Sequence, residues 1–232
     1  MGETGWRSLY PGADKAASVL MSMALHSYVV RYDSGFAPNP YYGFCTLATC
    51  KPKIRAAAQV DDWVVGSGSG AEGVRRAGYL VYAMRVTETL TWDQYAADVR
   101  FQRKRPFRRG SRKQTCGDNI YFRAHPGAAW QQRDSFHSLS DGSADAEHIA
   151  IDTSVDRVLV SEDFLYLGGT GPLIPDWLHD SRGRQLCKQG IGHSKFEEPQ
   201  LIADFVAWIR SAEISGYQGL PQEWLALRQE SV

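Results

Sequence analysis

Residues 27–70 read SYVVRYDSGFAPNPYYGFCTLATCKPKIRAAAQVDDWVVGSGSG. A strand rich in Val and Tyr at 27–32 leads into a loop pinned by Pro38, Asn39 and Pro40, because proline fixes its own φ and restricts the residue before it. A second strand is expected at 43–48. Pro52 suits the first position of a short helix running to about Gln59. Asp61-Asp62 then opens a third strand, Trp63-Val64-Val65, and the Gly/Ser run 66–70 reads as a flexible turn. So dense a mixture of Gly, Pro, Asn and aromatic residues marks a rigid surface suited to binding or chemistry rather than a plain connector.

Working outward, Tyr79 to Thr87 reads as a long strand. Thr91 and Gln94 form a capping-box pattern for a helix carrying Trp92 and Tyr95. Gly117–Arg123 reads as a turn and strand, 124–147 as a polar loop, and 157–161 and 164–167 as short strands. Pro199–Ala212 carries an apolar stripe of Leu201, Ile202, Phe205, Ile209 and Ala212, the clearest helix signature in the chain. A last short helix is expected at 221–227, and another at Ala13–Ala24.

With 232 residues and 43% apolar content the chain can bury one sizeable core, and 12% aromatic residues argue against disorder. No apolar run approaches the ~20 residues that span a bilayer. The opening residues lack a basic start with a clean apolar stretch and are not read as a signal peptide. Cys45, Cys50, Cys116 and Cys187 are irregularly spaced, which suits a reducing, cytoplasmic setting better than a disulfide scaffold. Net charge is zero, but residues 100–113, RFQRKRPFRRGSRK, hold eight cations and no acid. A basic block on an otherwise acidic chain is a candidate anion-binding surface.

The order strand, short helix, D-D-W-V-V-G, Gly/Ser turn and long strand ending in V-T-E resembles a PUA-like barrel. A Gly-Asp pair commonly opens the strand after the helix there, and this chain has Asp61-Asp62. More specifically, YDSGFAPNPYYGFCTLATCKPKIR (32–55), GDNIYFR (117–123) and VLVSEDFLYLGG (158–169) resemble the nucleotide modification associated domain proteins, in particular the second such family. The resemblance implies an α+β fold with a PUA-like mixed β-barrel flanked by short helices over 27–172. A lead-in at 1–26 and a helical C-terminal annex at 173–232 complete the expected organisation. It also implies a place in DNA base modification, in phage or mobile-element settings, with a nucleic acid or nucleotide as partner and a base taken into a pocket.

Candidate residues follow from chemistry. Cys50, at a helix start beside Lys51, could be a nucleophile or a small buried residue. Asp33 could serve acid–base chemistry or cap its loop. Tyr121 could offer a phenol or a stacking ring. His137 is the best general base by residue type, although a lone loop histidine is often a surface group. Phe36, Asn39 and Tyr41 could stack on and hydrogen-bond a base. Lys51 and Arg55, four residues apart, could hold a phosphate, with Ser67, Ser69 and Asn119 completing the pocket. Arg103, Lys104, Arg105, Arg108 and Arg109 are expected on nucleic-acid phosphates. The spacing shows no triad, Walker loop, dinucleotide fingerprint or metal signature, and no cofactor is implied. Three readings stand: a base-binding protein, an enzyme on a modified base or nucleotide, and a protein-interaction factor docking an acidic partner.

Overall fold

The computed structural model describes residues 23–188, 190 and 192–229. The expected lead-in and its helix at 13–24 fall almost wholly outside them. Eleven strands and six α-helices are described: β1 (Leu25–Val30), β2 (Cys45–Leu47), α1 (Pro52–Ala57), β3 (Trp63–Gly68), β4 (Leu80–Arg85), β5 (Glu88–Leu90), α2 (Trp92–Ala97), α3 (Arg112–Thr115), β6 (Tyr121–Phe122), β7 (Gln131–Gln132), α4 (Ala146–Thr153), β8 (Val158–Ser161), β9 (Asp163–Tyr166), β10 (His193–Phe196), α5 (Pro199–Arg210), β11 (Gly216–Tyr217) and α6 (Gln222–Gln229).

The main sheet has the order β10-β1-β3-β4-β9-β11. It is mixed: β1 runs parallel to β3 and β11 parallel to β9, and the other pairs are antiparallel. A second sheet orders β2-β8-β5, and β6 pairs with β7. The main sheet ends on β10 at one edge and β11 at the other, so it is open and not the barrel expected from the sequence. Residues beyond 172 supply both of these edge strands as well as helices.

Both faces of the main sheet are covered. Trp63, Val65, Leu80 and Ala83 pack with Leu201, Ile202, Phe205 and Ile209 of α5. Val64, Val81, Tyr82 and Met84 face Cys45, Leu47 and Ile54 on the other side. This explains why β3 and β4 read as nearly continuous apolar runs instead of a clean alternation. The Gly/Ser run is not a turn at its start, because β3 continues to Gly68. A Cβ on Gly66 would sit 2.5 Å from the Tyr82 ring, so only glycine lets the strands close there.

A third cluster joins Phe36, Trp92, Tyr95, Phe101, Ile120 and Tyr121 to Val158 and Val160 of β8. It supports the loop-rich quarter of the molecule where the functional groups gather.

Candidate functional site

The chain leaves β2, enters a tight bend and starts α1 at Pro52. Cys50 and Lys51 both adopt left-handed backbone, with φ of 59° and 44°. Two consecutive non-glycine residues in that region store on the order of 1–3 kcal/mol each and persist only where their surroundings hold them. Strained strand-to-helix turns of this kind present nucleophiles in other folds.

The surroundings here are polar. Cys50 Sγ lies 3.4 Å from His137 Nε2. His137 Nδ1 lies 2.8 Å from Asp152 Oδ2. The same oxygen accepts a 2.9 Å hydrogen bond from the Tyr121 hydroxyl. Asp152 Oδ1 accepts from the Cys50 backbone N–H at 2.7 Å, so one carboxylate holds both the imidazole and the Cys50 backbone. Behind it Arg55, fully buried, donates to the Cys50, Asp152, Val155 and Arg157 carbonyls at 2.6–2.9 Å. Arg55 thereby clamps the Cys50 bend to the end of α4.

Burial alone would lower the pKa of His137. The bonds to Asp152 and Cys50 overcome it and raise the imidazole to about 9. The ring is 4.9 Å from Phe36 and 4.3 Å from the His148 ring, whose Nδ1 meets its own carboxylate, Asp145, at 2.9 Å. Burial pushes Cys45 and Cys116 up to about 12, which leaves them protonated, and raises Cys187.

A thiol, an imidazole oriented through its far nitrogen and a buried carboxylate form the arrangement that activates cysteine nucleophiles. The sequence spacing concealed it, because the partners stand 87 and 102 residues from Cys50. The sequence reading places no element between the loop at 124–147 and the strand at 157–161, so it does not single out Asp152, which α4 carries. The available signal was Asp145, whose side chain caps the Glu147 and His148 N–H groups.

A match to the family model of nucleotide modification associated domain 2 spans residues 22–228. The chain belongs to this family. No curated protein and no solved structure matches it. Membership in the nucleotide modification associated domain 2 family places the chain with nucleotides or nucleic acid in a base modification system.

Of the expected site residues, Cys50, His137, Tyr121 and Phe36 come together, and Arg55 joins them as a buried clamp on backbone carbonyls instead of the expected phosphate ligand. The others separate. Asp33 accepts from the Tyr166 hydroxyl at 2.5 Å and the Gln222 N–H at 2.9 Å, tying the end of β1 to α6. Burial, partly offset by the Tyr166 bond, lifts its pKa to about 6. Asn39 is fully buried and bonds the Cys116 carbonyl. Tyr41 is buried against Tyr217 and Trp224. The Lys51 ammonium lies 4.8 Å from the Tyr28 ring centre. Ser67 is buried inside β3, Ser69 accepts from the Ala71 N–H, and Asn119 holds the Tyr95 and Phe101 carbonyls. The expected base pocket is therefore not assembled from these side chains.

The basic block also divides. Lys104 departs from the expected phosphate set: it is fully buried, donates to Asn39, Phe44 and Thr46, and balances buried Asp118. Arg100 is neutralised by Glu88 and Asp98. Arg103, Arg105, Arg108 and Arg109 remain exposed. Among the described residues no cluster of three or more His, Cys, Asp or Glu could hold a metal ion, and no helix is long and apolar enough to cross a membrane.

Proposed function

We propose that this protein is a thiol-dependent enzyme of a base modification system, acting on an acyl or amide carbon carried by a nucleotide or nucleic-acid base. The observation that carries the reading is the Cys50–His137–Asp152 geometry, held at a strained bend and braced by Arg55 and Tyr121.

The proton shared by Cys50 Sγ and His137 Nε2 sits on the imidazole as the Cys50 sulfur attacks the carbonyl carbon. The C–N or C–O bond breaks, and the imidazolium returns that proton to the leaving amine or alcohol. The resulting thioester is resolved by water, which His137 deprotonates, giving a carboxylic acid and the free thiol. Asp152 fixes the imidazole tautomer through Nδ1, and Tyr121 keeps the carboxylate in place. Because the Cys50 N–H is engaged by Asp152, negative charge on the substrate oxygen must draw on other donors. Exposed cations of the 103–113 segment would contact substrate phosphates. Binding without chemistry would account for those cations but leaves the three-residue geometry unexplained.

Limited iodoacetamide at pH 7, with mass mapping of the alkylated cysteines, tests the reading. Cys50 is expected to react at least ~10-fold faster than the other three, and His137→Gln or Asp152→Asn to slow it by ~100-fold, the scale of a lost general base. Equal reactivity at Cys50 and Cys187, or indifference to both substitutions, would remove the nucleophile from the proposal.

A further inference from the structure

The cations of the basic segment that remain in solvent are not scattered. Arg103, Arg105, Arg109, Arg112 and Lys113 are exposed and make no ion pair with any described residue. Arg108 has only a loose 3.7 Å contact with Asp134. Several are stacked on rings at the surface. The Arg103 guanidinium lies 4.4 Å from the Tyr42 ring centre, Arg108 lies 4.9 Å from that of Phe136, and Lys113 lies 4.6 Å from that of Tyr217. One cleft is lined by Tyr42, Arg103, Ser111, Lys113 and Gln114, and an adjoining one shares Tyr42 and Lys113.

The middle of the segment, at Arg108, approaches the imidazole through aromatic contacts. Phe136, 44% exposed, lies 5.6 Å from Phe36, which is 4.9 Å from the His137 ring. Two successive rings, Phe136 and Phe36, thus stand between Arg108 and the imidazole that faces Cys50.

We infer that residues 103–113, with Tyr42 and Phe136, form a track for single-stranded nucleic acid that leads to Cys50. The inference rests on the thiol-enzyme reading for its destination and deepens it by naming a polymer substrate. Five unpaired cations over eleven residues exceed what one nucleotide's phosphate requires. Guanidinium groups beside the half-buried Tyr42 ring and the exposed Phe136 ring suit unstacked bases, which a duplex hides. An acidic protein would satisfy the cations but leave the ring faces unmatched.

Fluorescence anisotropy with a labelled 20-nucleotide single strand, its duplex, deoxycytidine monophosphate and poly-glutamate as competitors tests the track. The single strand is expected to bind best. Its affinity should fall ~50-fold between 50 and 200 mM salt, the effect of about four phosphate contacts on a single strand. Arg103→Glu combined with Lys113→Glu should weaken binding at least ~10-fold while leaving the circular-dichroism melting curve in place. The bound strand should also slow iodoacetamide at Cys50. Binding no better than the mononucleotide, displacement by poly-glutamate at equal charge, or indifference to the double substitution overturns the track. Strand binding without protection of a reactive Cys50 overturns the track's destination. An unreactive Cys50 in protein that still binds the strand overturns the thiol reading and leaves the track standing.

Discussion

At the scale of single residues, the two oxygens of Asp152 divide three hydrogen bonds between them. One oxygen of the carboxylate receives the Cys50 N–H and the other receives His137 and Tyr121. An imidazole raised to about 9 in the folded protein and near 6.5 when unfolded contributes stability that is complete below pH 6.5 and is lost as pH rises through 9. The difference in unfolding free energy between wild type and His137→Gln should therefore shrink by up to about 3 kcal/mol between pH 6.5 and pH 9.5, read by urea titration at each pH. A flat difference would mean that His137 is not held as a cation by its neighbours. The residue types at this site were legible: Cys50, Tyr121 and His137 stood out by chemistry alone. Asp152 did not, since an aspartate inside an unrecognised helix looks like any solvated acid until tertiary contacts are known.

Among elements, α5 was the easiest to read, because Leu201, Ile202, Phe205 and Ile209 repeat at helical spacing behind a proline at the first turn. β10 was not, because an edge strand of sequence His-Ser-Lys-Phe carries no apolar alternation. Asp33, for which acid–base chemistry and loop capping are both open in the sequence, is a joint between the end of β1 and the C-terminal helix. That joint has its own pH signature. Asp33 titrates near 6 when folded and near 3.8 when unfolded, so the folded state holds its proton longer and stability falls as pH rises between these values. Relative to Asp33→Asn, wild type should lose up to about 3 kcal/mol from about pH 3 to about pH 7 and nothing further above it, measured by chemical denaturation. A difference that grows above pH 7 instead would assign the titration to another group.

Over the whole molecule, one six-stranded sheet takes strands from residues 25 to 217, so its two covered faces should unfold together. Phe205 is fully buried, with its ring centre 5.4 Å from that of Trp63. Phe205→Ala should cost about 3–5 kcal/mol. Loss of Cys50 reactivity in urea should share its midpoint with loss of ellipticity in both wild type and variant. Separate midpoints would divide the site from the sheet. Mixed α and β content, the main strands and the family were legible in local pattern. Openness of the sheet and convergence of the thiol, imidazole and carboxylate were not, because both depend on pairings between distant segments. That distance carries a biological corollary. A chain emerging from the ribosome displays Cys50 long before residue 152 has been synthesised, so its sulfur stays unarmed through most of translation. A product that stops short of residue 152 would carry Cys50 with neither its backbone nor its imidazole tied to a carboxylate.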